Sequence, residues 1–297
     1  MGNRAKIGYI GLGDIGGPMA ERIKSAGWPL TVWNRTPEKA EPLLQAGAEA
    51  ADSPADLASR CDVIFTCLGS VEAMHDVLSG PRGMLQGQGI RTRLVVDSST
   101  VPPADAVAFA QKLAAASISF VDAPVSGGAI GARAGTLAVM VGGAPSDVAV
   151  ASPILQSFAS KVTHLGPVGS GQAMKACNQV LNFGTMAALA EAIALGGRYG
   201  LTPQAVAEAV TGGFAESNVS REFSRSLAAD DASPVRLLVD TLDAFYGGHI
   251  RRELSGNLSI LMKDLAMALD MARARGVPLP VISHFDSVFR MIQHLES

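Results

Sequence analysis

A short apolar run, Ile7–Ile10, leads straight into Gly11-Leu12-Gly13-Asp14-Ile15-Gly16. The spacing G-x-G-x-x-G, after a strand-like run and before a helical one, constrains this chain more than any other feature. Gly11 permits a tight turn, Gly13 leaves room for a pyrophosphate to approach the backbone, and Gly16 lets the next helix pack close to the strand. The helix start then offers unpaired N–H groups to phosphate oxygens. A glycine-rich turn with no ligand satisfies the same spacing, so the surroundings decide. Here further apolar runs follow at Leu30–Trp33, Val63–Leu68, Leu94–Asp97, Ile118–Asp122 and Leu137–Val141. Helical stretches lie between them, among them Met19–Ala26, Pro37–Ala46, Pro54–Ser59 and Pro103–Ala115. Several open on helix-start chemistry, as at Thr36-Pro37 and Ser53-Pro54. Repeated strand-then-helix order predicts a mainly parallel sheet covered on both faces. The expectation for residues 1–166 is a Rossmann-type α/β domain that binds a dinucleotide through Gly11, Leu12, Gly13, Asp14, Ile15 and Gly16. Asp14 is unhelpful beside a pyrophosphate unless its carboxylate points to solvent.

After Gly166 the texture changes. Strand-like runs stop, and Gly169–Gly200 reads as one long helix rich in small residues. Helices are expected at Pro203–Thr211, Glu216–Ala228, Pro234–Tyr246, Asn257–Arg275 and Pro278–Leu295. Residues 167–297 are therefore predicted to be an all-α C-terminal domain, linked to the first by the long interdomain helix. The most apolar stretch, Ala176–Leu195, carries Asn178, Gln179, Asn182 and Glu191. It reads as a buried helix and not as a membrane span. No targeting segment is read ahead of the first strand, and three cysteines without metal-finger spacing fit a reducing, cytoplasmic setting. A formal net charge of -3 gives no basic surface for a nucleic-acid backbone. The five histidines show no metal-ligand spacing, so no metal is expected.

The second strand ends in Trp33-Asn34-Arg35-Thr36. A site for NAD usually has an acidic residue here, to accept from the ribose 2′-hydroxyl. This chain has none. Arg35 instead suits a 2′-phosphate, with Asn34 and Thr36 as further hydrogen-bonding groups. A charge-assisted bond of that kind contributes about 1.5–3 kcal/mol, or roughly tenfold to a hundredfold in preference. NADP is therefore expected to be preferred, with NAD possible.

These residues, together with four later stretches, resemble the β-hydroxyacid dehydrogenase family, which includes 3-hydroxyisobutyrate dehydrogenases and semialdehyde reductases. The first stretch is Gly8–Ala20. The second is Asp97-Ser98-Ser99-Thr100, and the third is Asp122-Ala123-Pro124-Val125-Ser126-Gly127-Gly128. The fourth is Gly166-Pro167-Val168-Gly169-Ser170-Gly171 with Lys175 and Asn178, and the fifth is Lys263-Asp264-Leu265. The resemblance covers nearly the whole chain. It implies that Leu68 and Thr100 touch the cofactor and that Ser126, Gly127 and Gly128 bind a substrate carboxylate. It implies Lys175 as the general acid/base with Asn178 beside it. Lys263 would close over cofactor and substrate, with Asp264 in support. It also implies a homodimer or homotetramer. The chain departs from the common pattern at Ile15, where Met is frequent, at Gly69, where Pro often follows Leu, and at Gln179, where a second Asn is common. The segment from Phe223 to Lys263 is longer than the pattern, and it includes His249, a candidate substrate contact. These differences bear on which substrate is used more than on the reaction type.

Reducing a carbonyl requires a hydride at carbon and a proton at oxygen. Lys175 can supply the proton. Asn178, Gln179 and Asn182 follow it by three, four and seven residues and so share its helix face. Such a stripe is costly to bury without partners. It fits either a hydrated substrate cleft or a structural polar seam. The leading expectation is an NADP-preferring enzyme that interconverts a small β-hydroxyacid and its semialdehyde or oxoacid. The alternatives are an imine reductase, in which the position of Lys175 is typically Asp or Tyr, and a noncatalytic dinucleotide-binding scaffold.

Overall fold

The structure, a computed structural model, describes residues 4–249 and 257–296. It divides into two compact units, Met1–Lys175 and Ala176–Ser297.

The first unit alternates strands and helices. In chain order these are β1 (Ile7–Ile10), α1 (Gly16–Ser25), β2 (Leu30–Trp33), a 3-10 turn at Pro37–Ala40 continuing into α2 (Glu41–Gln45), β3 (Glu49–Ala50), α3 (Pro54–Arg60) and β4 (Val63–Thr66). Then come α4 (Val71–Ser79), β5 (Leu94–Asp97), α5 (Pro103–Ala114), β6 (Ser119–Asp122) and β7 (Val125–Ser126). The unit closes with α6 (Gly128–Ala134), β8 (Leu137–Gly142), α7 (Pro145–Leu155) and β9 (Ala159–Gly166). The strands β3-β2-β1-β4-β5-β6 are parallel neighbours. This is the order of a doubly wound dinucleotide fold, whose switch point lies between β1 and β4. Beyond β6, β8 pairs antiparallel with β6 and β7, and parallel with β9.

The parallel strands are buried on both faces, and their side chains alternate between two cores. Ile7, Tyr9, Val63 and Phe65 enter one cluster with Met19, Ile23 and Phe158. Ile10, Ile64 and Val95 enter the other with Leu57, Met74 and Phe109. Gly8 belongs to this pattern, since a Cβ there would collide with the Leu57 side chain. Ser53 and Ser70 cap α3 and α4, their hydroxyls accepting from the N–H groups of Asp56 and Ala73. Three short or marginal strands join the six expected. Of these, β9 reads poorly as a strand because it forms an edge, with Ser160, Lys161 and His164 exposed.

The second unit is all helical. It comprises α8 (Ser170–Gly197), which begins in the first unit, then α9 (Pro203–Ala209), α10 (Asn218–Ala229), α11 (Pro234–Tyr246), α12 (Asn257–Ala274) and α13 (Pro280–Glu296). Its core joins Phe183, Ala190 and Ile193 of α8 to Phe223, Leu238, Leu242, Leu265 and Phe289. Ser217 and Ser220 form a reciprocal capping box at the start of α10. Among the described residues, α8 is long and apolar enough by length and composition to cross a membrane. One side of it is nonetheless committed to this core. The fold is thus the expected one, a Rossmann-type sheet followed by a helical region.

Candidate active site

The loops that leave β1, β2, β4 and β5 at their C-terminal ends hold most of the cofactor residues singled out from the sequence. In the first loop Gly11 has φ +97°, and a Cβ on it would collide with the backbone oxygen of Cys67. A Cβ on Gly16 would collide with the backbone oxygen of Gly11. Gly13 differs, because nothing lies within 4 Å of where its Cβ would be. Two glycines therefore serve the turn and its packing, and the third keeps open the space a pyrophosphate needs. Asp14 is exposed and Ile15 packs against the core, so the acid of the loop does lie in solvent. Leu12 is buried, and its N–H donates to Asn34 Oδ1 at 2.9 Å.

A cavity of about 680 Å³ opens beside this loop, lined by Gly13, Trp33, Arg35, Lys39, Leu68 and Arg82 among others. Arg35 and Thr36 are exposed. Asn34, also on the cavity wall, has a structural task as well. Besides accepting from Leu12, it donates from Nδ2 to the Thr36 carbonyl at 2.8 Å, so its amide ties the glycine loop to the end of β2. The open space at Gly13, the volume of the cavity and the cations on its wall fit an anionic dinucleotide.

The next two loops are built as one hydrogen-bonded assembly. Asp97, wholly buried at the end of β5, accepts at Oδ1 from Thr66 Oγ1 (2.7 Å), Ser99 Oγ (2.6 Å) and Ser99 N–H (3.1 Å). Ser99 Oγ in turn accepts from the N–H of Leu68 at 2.8 Å. The turn at Leu68 and the loop holding Thr100 are thereby fixed to each other. Gln172, also wholly buried, extends the assembly to α8. Its Nε2 donates to the Ser99 carbonyl at 2.8 Å, and its Oε1 accepts from Val101 N–H at 3.2 Å.

Asp122, at the end of β6, holds the start of the same helix. Its carboxylate accepts from Gly169 N–H at 2.7 Å and from Gln172 N–H at 2.9 Å. These are orphan donors of a helix N-terminus, where negative charge is favoured. Burial pushes the Asp122 carboxyl up to about 6, with the two N–H groups pulling it back and Asp97 adding to the rise. Lys175 lies one turn beyond Gln172 on this anchored helix and is only 7% exposed. Sequence reasoning did not single out Gln172. Glutamine near a helix start carries no pattern of its own, and its importance comes from partners 71 and 73 residues away.

Ser126 ends β7, and Gly127 and Gly128 follow with φ +128° and +60°. This left-handed backbone, which side chains disfavour, turns the chain directly into α6. A strand was expected before these glycines; the helix that starts on Gly128 was not.

In the helical unit, Gln179 stands at the centre of the polar stripe. Its Nε2 donates to Asp264 Oδ2 at 2.8 Å, and its Oε1 accepts from Asn178 and Asn182, both at 3.2 Å. Asp264 is buried, and the half-exposed Lys263 lies 3.8 Å from its Oδ1. The stripe is thus in part a structural seam between α8 and α12, and it brings Asn178 and Asp264 to the same glutamine. His249 makes a local contact, Nδ1 to the Gly247 carbonyl at 2.9 Å. The stretch 250–256 of the long Phe223–Lys263 segment lies outside the described residues. Among the described residues, no three His, Cys, Asp or Glu side chains gather to hold a metal ion.

Residues 6–166 match the NAD binding domain of 6-phosphogluconate dehydrogenase, and residues 169–239 match the NAD-binding region of NADP-dependent 3-hydroxyisobutyrate dehydrogenase. The mitochondrial 3-hydroxyisobutyrate dehydrogenase of Rattus norvegicus is 34% identical over 295 residues, spanning 98% of this chain and 83% of that protein. The 3-hydroxyisobutyrate dehydrogenase of Mycobacterium tuberculosis, solved with L-serine, superposes with a TM-score of 0.76 at 27% identity, covering 97% of this chain and 94% of its own. An imine reductase of Streptomyces aurantiacus shares the fold at 21% identity, with a TM-score of 0.63 over 96% of this chain and 93% of its own. The open phosphate loop and the order of the motifs agree with these matches: the chain belongs to the β-hydroxyacid dehydrogenase family and is a nicotinamide-dependent oxidoreductase of the 3-hydroxyisobutyrate dehydrogenase type.

Proposed function

We propose that the protein is an NADP-preferring reductase of small carboxylates, converting a semialdehyde or oxoacid to the β-hydroxyacid, with Lys175 as the proton donor. The observation that carries this reading is a lysine buried to 7% exposure, one turn along a helix whose start is pinned to β5 and β6. The nicotinamide, when bound, supplies the hydride. Every other task falls to the chain. Gly11, Gly13 and Gly16 shape the loop for the pyrophosphate, and Leu68 and Thr100 present the adjoining walls. Ser126, Gly127 and Gly128 offer a hydroxyl and backbone N–H groups to the substrate carboxylate. The Lys175 ammonium gives its proton to the carbonyl oxygen as the alcohol forms, away from bulk water. Asn178, fixed through Gln179, would hold the same oxygen, and Lys263, beside Asp264, would meet the bound anions.

NADP preference is supported by Arg35 and by the lack of an acidic residue at the end of β2. It also agrees with the NADP-dependent family matched by residues 169–239. The L-serine of the M. tuberculosis relative is itself a β-hydroxyacid. That supports a substrate with a carboxylate one carbon removed from the reacting carbon. The likeness to an imine reductase is one of fold alone.

The test is NADPH oxidation on a panel of small carboxylates: glyoxylate and the succinic, tartronic and methylmalonic semialdehydes. Lys175→Met should lower kcat by roughly 10²-fold or more, as expected for loss of a general acid, with NADPH affinity unchanged. A variant that turns over as fast as the parent removes Lys175 from the chemistry.

A further inference from the structure

The cavity beside the glycine loop has two kinds of wall. One is made by that loop and the end of β2, with Arg35 and Lys39. The other is made by the start of α3, by α4 and by the turn after it, through Pro54, Ala73, Asp76, Val77, Pro81 and Arg82. Asp76 and Val77 follow Ala73 by three and four residues, so one face of α4 supplies this wall. The turn is tied to the start of α3. Arg82 Nη2 donates to the Asp52 carbonyl at 2.5 Å, and the Arg82 carbonyl accepts from Ala55 N–H at 3.1 Å. Pro54 and Val77 are buried and Ala73 is half-buried, while Asp76 and Arg82 are exposed. The wall is therefore apolar, with one charge of each sign added to it.

Asp76 is the odd member. Among the described residues that line the cavity it is the one acid, and it shares the space with Arg35, Lys39 and Arg82. A carboxylate repels the phosphates of a dinucleotide. It aids binding only by accepting from an N–H or O–H of the ligand. In folds of this strand order the end of β2 meets the ribose hydroxyls. The donor left on the adenosine half is the exocyclic amine of the purine.

We propose that Asp76 determines base specificity, its carboxylate accepting from the exocyclic amine of the adenine. Pro54, Ala73 and Val77 offer the ring an apolar surface, and Arg82 offers a donor to a ring nitrogen. Adenine carries an amine donor beside ring acceptors, whereas a 6-oxopurine such as hypoxanthine carries an acceptor in place of the amine. An acceptor set against the Asp76 carboxylate is rejected, as in any site built to bond an N–H that the analogue lacks. The inference rests on dinucleotide binding in this cavity and on nothing in the chemistry at Lys175.

The test is titration calorimetry of NADPH, NADH and their hypoxanthine counterparts with the full chain, with Asp76→Ala and with Asp76→Asn. The side chain is exposed on a helix, so neither variant disturbs the core. The amine is read as the ratio of Kd within each adenine–hypoxanthine pair, where the 2′-phosphate and the charge of the cofactor cancel. The parent should bind the adenine form about tenfold more tightly in both pairs, the low end for a hydrogen bond to a charged group. Asp76→Ala should bring both ratios within about twofold of one. Asp76→Asn should do the same, because an amide can turn to accept from the amine or to donate to the oxygen. A parent ratio near one overturns the proposal, and so does a tenfold ratio that persists in Asp76→Ala. A ratio that stands while NADPH binds no better than NADH supports the role of Asp76 and removes the NADP preference instead. Binding of none of the four dinucleotides overturns both.

Discussion

Replacing Gln172 by glutamate probes the joint between the Thr100 loop and the helix that carries Lys175. The side chain keeps its size, so nothing is overpacked. Its Oε1 can still accept from Val101 N–H. The other oxygen, where Nε2 stood 2.8 Å from the Ser99 carbonyl, now sets an acceptor against an acceptor. The Asp122 carboxylate, bonded to the backbone N–H of the same residue, adds like charge. A proton on the new carboxyl restores the donor, so folding raises its pKa above the unfolded value of about 4.3. A group raised on folding contributes its full stability below the unfolded pKa and loses it as pH rises through the folded one. Loss of a buried donor with its repulsion costs about 3 kcal/mol at pH 8. That equals about two pKa units, so the loss sets in between about pH 4.3 and about 6.5. The assay is urea unfolding followed by tryptophan fluorescence. Trp28 and Trp33 are the chain's two tryptophans, and both lie in the first unit. Relative to the parent at each pH, Gln172→Glu should lose roughly 1 M of urea midpoint at pH 8, for a slope of about 3 kcal/mol/M, and almost none at pH 4.5. An equal midpoint shift at both values would refute the donor role assigned to Nε2.

The glycine loop separates two kinds of loss. Gly11→Ala should destabilise the first unit, because φ is +97° and a Cβ strikes the Cys67 carbonyl. Gly13→Ala should leave the melting temperature unchanged but weaken NADPH binding, measured by titration calorimetry, at least tenfold. Arg35→Asp should lower the NADPH-to-NADH ratio of kcat/KM by tenfold to a hundredfold, the span expected of a charge-assisted bond; an unchanged ratio takes Arg35 out of the site. Burial raises the Asp122 carboxyl to about 6, so its stabilisation is complete below about pH 4 and lost as pH rises through 6. Asp122→Asn should flatten that part of the parent's stability profile, and a slope identical to the parent's would contradict the assignment.

Local rules made much of the architecture readable. The unbroken apolar runs of β1 and β4, the Ser53-Pro54 start of α3 and the phosphate glycines each act over a few residues. Four neighbouring strands of the sheet, β2, β1, β4 and β5, carry apolar runs that are plain in the sequence. What escaped reading depends on distant partners. Edge strand β9 lacks an apolar run because only one side of it is covered. Asn34, a wall of the cavity, also ties its amide to Leu12, 22 residues away. Gln179 looked like a departure from a familiar pattern, and its meaning appears only with Asp264, 85 residues away. No spacing in the sequence announces such pairs.

The assembly around Asp97 has a consequence for how this chain can change. Thr66, Leu68, Ser99, Val101 and Gln172 are joined by a continuous run of hydrogen bonds, so substitutions among them will not add. A change at Ser99 alters what Leu68 and Gln172 experience, and a second change at Gln172 meets an environment already altered. Neighbours of this kind couple by about 0.5–3 kcal/mol. A loop transplanted from a relative into one of these positions would therefore arrive with the wrong counterparts unless they travel with it. The short motifs that meet around Asp97 have to be exchanged as a set.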